Sequence, residues 1–204
     1  MNKKAGILLI VVGLGMLLAA GGLYLHNVAV DANAGREAEA ILTQVQEAIP
    51  EAPETEALEP AAEETAPAGT VPEEMTVVEI DGYGYIGYLS IPKIELELPV
   101  MHLWDQYRLQ IAPCRHFGST WTDDLVIAAH NYEKHFGKLK ELAPGDGVTF
   151  TDMDGNITDY EVVRLETLDP NAVDAVQYSD CDLVLYTCTY NGKNRVGVFC
   201  NRTQ

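Results

Sequence analysis

Hydrophobic and polar positions divide the chain into three regimes. The first is continuously apolar: no charged residue falls between Ala5 and Leu25, and about 20 such residues at 1.5 Å each are enough to cross a bilayer. The second starts at Asp31, where Ala38, Ile41, Leu42, Val45, Ala48 and Ile49 recur at helical spacing and predict a short amphipathic helix. From Pro50 to Glu79 the pattern fades into Pro, Glu, Ala and Thr with almost no aromatics. That composition buries too little surface to offset chain entropy and predicts a disordered linker. After Gly82 the period changes to short alternating runs. Tyr85 to Ile91 and Ile94 to Met101 read as a hairpin around Pro92-Lys93, and Leu125 to Ala129 as a buried strand. Tyr107 to Phe117 reads as a helical turn and a loop, and Phe136 to Leu142 as a brief helix ended by Pro144-Gly145. Val148 to Thr151 and Tyr160 to Leu168 flank the turn Asp154-Gly155-Asn156, Asp169 to Asp180 is a loop with room for a helical turn, and Asp182 to Cys188 and Arg195 to Asn201 complete the set. About eight short strands at regular spacing predict a mainly β fold, a closed β-barrel with short helices. The expected organisation is an N-terminal tip and transmembrane helix over 1–30, an acidic linker over 31–81 and a barrel over 82–204.

Charge refines this picture. The 204 residues carry a formal charge of −18, which argues against nucleic acid as a partner, since phosphate backbones are met by Lys and Arg. Fourteen of the 31 acidic residues and one basic residue lie between Asp31 and Asp81, so the imbalance belongs mostly to the linker. Lys3 and Lys4 precede the apolar run and acidic residues follow it, which places the N-terminus in the cytoplasm and the barrel outside. The run exceeds the usual hydrophobic core of a secretory signal, favouring an uncleaved, single-pass anchor in the cell membrane through residues 5–25.

The last hairpin carries the candidate chemistry. Leu183-Val-Leu-Tyr-Thr-Cys188 and Arg195-Val-Gly-Val-Phe-Cys200 flank Asn191-Gly192, so pairing sets a thiol at the end of one strand beside a guanidinium at the start of the next. A thiol becomes a strong nucleophile as thiolate, and a nearby cation or imidazole activates it. His130, at the end of Leu125-Val-Ile-Ala-Ala, is the candidate imidazole. Cys114, Cys181, Cys188 and Cys200 form no CxxC pair, and the three other than Cys188 read as small buried hydrophobes. His130 and His135 lie five apart on a chain leaving a strand, which does not suit a shared metal. Asp152, Asp154, Asn156 and Asp159 resemble part of a calcium loop but lack its closing Glu. No metal and no cofactor are expected.

His130, the strand Val184-Leu-Tyr-Thr-Cys188 and Arg195, in that order, resemble the sortases, whose signature is a His on a mid-barrel strand, a TLxTC strand and an Arg on the next. The opening Tyr85-Ile-Gly-Tyr-Leu-Ser-Ile-Pro-Lys-Ile is similar to the first hairpin of that family, and the resemblance runs from about Gly82 onward. Val184 stands where the signature has its first Thr. The resemblance implies an eight-stranded sortase barrel and a transpeptidase of Gram-positive bacteria that cleaves an LPxTG-like sorting signal of surface proteins. The acyl group would pass through a Cys188 thioester to an amine of a peptidoglycan precursor or a pilin. His130 would exchange the protons, Arg195 would hold the oxyanion, and Ala129, Asn131, Thr187 and Tyr190 would line the substrate groove. Two other readings use the same residues: a cell-wall cysteine peptidase that transfers to water, and a non-catalytic peptide-binding barrel.

Overall fold

The computed structural model describes residues 3–50, 74–189 and 192–203. It opens with one helix, α1 (Lys3–Ala48, 46 residues). Nine strands follow: β1 (Val78–Ile80), β2 (Tyr83–Ile91), β3 (Leu96–Met101), β4 (Cys114–Phe117), β5 (Leu125–Ala128), β6 (Gly147–Asp152), β7 (Ile157–Leu168), β8 (Leu183–Cys188) and β9 (Arg195–Arg202). Two short α-helices, α2 (Arg108–Ile111) and α3 (Val173–Gln177), and 3-10 turns at Pro92–Ile94 and Phe136–Glu141 fill the connections.

Eight strands close the barrel in the order β2-β3-β4-β5-β8-β9-β7-β6, with β6 pairing back onto β2. The same edge of β2 therefore serves two partners: Tyr83 to Tyr85 pair with β1, and Gly87 to Ser90 pair with β6. Gly87 makes the change of partner possible. Its φ is +143°, it sits at a bulge, and a Cβ there would lie 2.0 Å from the Thr151 carbonyl oxygen, so only glycine fits. Inward side chains such as Leu89, Leu98, Ile127, Phe150, Leu185 and Val198 fill the interior.

Three expectations are corrected. Cys114–Phe117 is a strand, not a loop: Arg115 and His116 hide its apolar alternation, and its place comes from pairing with β5, across a register shift, and from one parallel bridge to β3. β1 lies ahead of Gly82 and Met75 is buried in the core, so the barrel domain begins before the expected boundary. Residues 31–48, assigned to the linker but expected to be helical, are the C-terminal part of α1, and Ala34, Ala38, Leu42 and Val45 are buried against the barrel. The apolar stripe marks the helix but not the surface that covers it. Residues 51–73 of the expected linker lie outside the described residues.

His135 lies beneath this contact. It is fully buried, neither ring nitrogen has a hydrogen-bond partner among the described residues, and Oδ1 of Asp31 is likewise buried and unpartnered. Burial, reinforced by the charge of nearby His130, pushes the His135 pKa down to about 4, against the opposing pull of the Ala34 backbone and Asp31. An unfolded chain takes up this proton near pH 6.5 and the folded one near 4. Stability is therefore held above pH 6.5 and lost as pH falls toward 4, by about 2 kcal/mol between pH 7 and 5. His135→Phe, which keeps an apolar ring, is expected to flatten that slope when urea midpoints of the detergent-solubilised chain are compared at the two pH values.

Candidate active site

Two strands that are distant in sequence set the geometry. β5 and β8 pair in parallel, from Leu125↔Leu183 to Ala128↔Tyr186. Extending the register by two brings His130 level with Cys188. The extension is held by hydrogen bonds past the ladder: the Ala129 amide donates to the Tyr186 carbonyl at 3.2 Å, the Thr187 hydroxyl to the Ala129 carbonyl at 2.8 Å, and the Asn131 amide group to the Thr189 carbonyl at 3.4 Å. Because side chains alternate along a strand, Leu183 and Leu185 face the barrel interior while Tyr186 and Cys188 face outward. In β9, Arg195 pairs directly with Cys188. Its Nη1 donates to the carbonyls of Gly192 at 3.4 Å and Asn194 at 3.2 Å, which fastens the guanidinium to its own turn.

Cys188, His130 and Arg195 line one groove of about 350 Å³, whose walls include Trp104, Leu109, Leu168, Val173 and Val176. The chain between β7 and β8 forms one wall. Arg164 ties it to the barrel, bonding the Asp180 carboxylate at 2.7 Å and the Cys181 sulfur at 3.0 Å while lying over the Phe199 ring at 4.2 Å. Ala129 and Thr187 also line the groove, although the Thr187 hydroxyl is committed to the Ala129 carbonyl. Asn131 is not among the lining residues, and Tyr190 lies outside the described residues. Arg202, the second arginine near the end of the chain, bonds the Thr120 carbonyl and Asp123 away from the groove.

All four cysteines are free, and Cys188 alone is not fully buried. Burial pushes the thiols of Cys114 and Cys200 up to about 12, and raises Cys181 against the pull of Arg164. These three are held as protonated, unreactive thiols. Burial lowers the pKa of His130 and so favours the neutral imidazole. The His130 ring lies 5.0 Å from the Tyr132 ring, and its carbonyl accepts from the Phe136 amide at 3.1 Å. A thiol, an imidazole and a guanidinium at one end of an apolar groove are the groups that acyl transfer needs.

Sequence reasoning missed the aromatic floor. The Tyr186 hydroxyl meets His116 Nδ1 at 2.7 Å, and Trp104 stacks on His116 with centroids 4.8 Å apart. Tyr186 was legible, being two residues before Cys188 and so on the same face; His116 and Trp104 carry no spacing signal. The Thr187 bond is a testable part of this frame. Thr187→Val leaves the Ala129 carbonyl without its buried donor and is expected to cost about 1–2 kcal/mol, read as a lowered urea midpoint, with peptide turnover falling alongside it.

The sortase-domain family model matches residues 89–203, just over half of the chain. Among solved structures, sortase C1 from Streptococcus agalactiae is 28% identical, superimposes with a TM-score of 0.52, and is matched over 62% of this chain and 71% of that one. Sortase A from Corynebacterium diphtheriae is 24% identical at a TM-score of 0.53, over 60% of this chain and 62% of that one. Clostridium perfringens sortase C, solved with the C-terminal cell wall sorting motif, is 24% identical at a TM-score of 0.52, over 59% and 71%. A comparison with curated proteins finds no match.

Proposed function

Because this chain belongs to the sortase family, we propose that it is a membrane-anchored cysteine transpeptidase that cuts an LPxTG-like sorting signal and joins the acyl fragment to a cell-wall or pilin amine. The observation that carries the reading is the shared register of Cys188, His130 and Arg195 at one end of the groove. In this mechanism the Cys188 thiol gives its proton to the neutral His130 imidazole as Sγ attacks the carbonyl carbon of the Thr–Gly bond of the signal. The negative charge on the carbonyl oxygen is met by the Arg195 guanidinium, already oriented by its turn, so little reorganisation accompanies the reaction. The C–N bond breaks, His130 gives a proton to the departing amine, and a thioester remains. The incoming amine then attacks the thioester carbon and loses its proton to His130; the C–S bond breaks, the new amide forms, and His130 returns the proton to the departing sulfur, which regenerates the thiol. The apolar walls receive the apolar residues of the signal. Lys3-Lys4 before the uncharged run supports an anchor with the barrel on the outer face of a Gram-positive cell.

The test is incubation of the full-length chain in detergent with a fluorogenic LPxTG peptide, with and without an added amine. The full length matters because Ala38 of α1 belongs to the barrel core. Release of the fluorophore with a peptide–amine product supports the transpeptidase; release with water as sole acceptor makes it a peptidase; no release and no alkylation of Cys188 leaves a peptide-binding barrel. Arg195→Lys keeps the charge but loses the planar fork of donors. It is expected to lower kcat by about 10²-fold with an unchanged thermal midpoint.

A further inference from the structure

Two of the three groups in the groove are fixed by the strands that carry them. Cys188 closes the β8 ladder opposite Arg195, and the Arg195 guanidinium is fastened to its own turn. His130 lacks that support, because β5 ends at Ala128 and the imidazole lies two residues beyond it. The bonds of Ala129 and Asn131 hold the backbone on either side, but the ring still has its own rotamers to choose from. Neither ring nitrogen has a hydrogen-bond partner among the described residues, so the imidazole is not oriented by a carboxylate in the manner of a Ser-His-Asp triad. Its aromatic neighbour is Tyr132, with ring centroids 5.0 Å apart and planes tilted by 33°.

Tyr132 is held in a tight turn. Its carbonyl accepts from the amides of His135 at 3.0 Å and Gly137 at 2.8 Å, while the His130 carbonyl accepts from the Phe136 amide at 3.1 Å. Gly137 allows the chain to close this far: a Cβ there would lie 2.7 Å from the Tyr132 carbonyl oxygen and 2.8 Å from that of Asn131. The Tyr132 ring also meets the His135 ring, 5.4 Å away. Its hydroxyl has no partner among the described residues, so the ring rather than the hydroxyl makes the contacts.

The turn is covered in its own right by α1. His135 and Phe136 are fully buried, Asp31 and the Ala34 backbone bear on the His135 ring, and Phe136 shares a core cluster with Ala38. A Cβ on Gly35 would lie 2.8 Å from Lys134 Cγ and 2.9 Å from Lys134 Cβ, so the helix backbone rests directly on the turn. Contact thus runs from α1 through the turn to Tyr132 and from Tyr132 to His130.

We propose that Tyr132 is the positioning residue for the His130 imidazole, and that residues 31–38 of α1, seated on the turn 131–137, hold Tyr132 in place. An imidazole that exchanges protons with a thiol, a leaving amine and an incoming amine needs one ring orientation, and a displacement of about 1 Å can cost about 10²-fold in rate. The helix is then part of the active-site frame as well as a tether. This rests on the assignment of His130 as the proton carrier, while the ring geometry itself can be read without catalysis.

The test uses the full-length chain in detergent with 13C-labelled histidine, and His130→Ala identifies the His130 resonance among the five histidines. A neighbouring aromatic ring displaces that resonance. Tyr132→Ala is expected to abolish the displacement and to lower kcat by about 10–10²-fold. KM is expected to stay within about twofold, because the groove walls at Trp104, Leu109, Leu168, Val173 and Val176 are untouched. Tyr132→Phe keeps the ring and is expected to keep both the displacement and kcat, the latter within about twofold. Gly35→Leu places a better helix former in α1, so the helix persists, but wedges it off the turn. It is expected to reduce the displacement and to lower kcat about tenfold, and adding Lys134→Gly, which removes the atoms struck, is expected to restore both. An unchanged His130 resonance in Tyr132→Ala overturns the positioning, as does a lost displacement with undiminished kcat. A Gly35→Leu defect that Lys134→Gly does not restore overturns the part assigned to α1. A wild-type chain that cleaves no peptide overturns the transpeptidase reading, while the resonance series still decides whether Tyr132 and α1 hold the ring.

Discussion

Cys188→Ala is expected to abolish both peptide cleavage and amine transfer, a loss of about 10⁴-fold or more, in a chain whose thermal midpoint is unchanged. The thiol is half-buried at a strand end and bears no packing role comparable with that of its three buried counterparts. No other cysteine can replace it, because burial holds Cys114 and Cys200 near pKa 12 and raises Cys181 as well. The internal comparison is Cys181→Ala and Cys200→Ala, which are expected to lose stability and keep the acyl-enzyme detectable by mass spectrometry. If either of them removed cleavage while Cys188→Ala retained it, the nucleophile would be wrongly placed.

His130→Ala comes next in size. Without a proton donor for the leaving amine, kcat/KM is expected to fall by about 10²–10⁴-fold. The pH profile adds a mark that a merely structural histidine would not leave. Burial lowers the His130 pKa, so the wild-type limb that reports the imidazole is expected below its ordinary value of about 6.5, and it should vanish in the variant. Rates measured between about pH 5 and 9 cover the window, with the folded fraction followed alongside because the His135 linkage lowers stability over its acid half. A limb that persisted unchanged in His130→Ala would assign the titration to another group.

How much of this was legible in the sequence depended on the distance between partners. The Cys188↔Arg195 pairing follows from a local hairpin, and its polar centre and apolar flanks announce it. The pairing of β5 with β8 joins residues 58 positions apart, and nothing in composition or periodicity registers one strand on the other; only the likeness to a family placed His130 beside the thiol. The stripe through Ala38, Leu42 and Val45 was readable as helix, but its docking face was not, because a helical period says which side is apolar and not what covers it. His116 carries no spacing signal in the sequence. It is held instead by Tyr186 and Trp104, from other parts of the chain.

The non-local parallel register also bears on biosynthesis. A strand pairing that closes a loop of this length carries a larger entropic cost than a local hairpin and is expected to form after it. Before that point the thiol and the imidazole have no reason to meet, and the thiol is an ordinary cysteine. A chain whose barrel is incomplete therefore carries the thiol without the imidazole beside it. Completion of the fold is therefore what assembles the three groups of the groove.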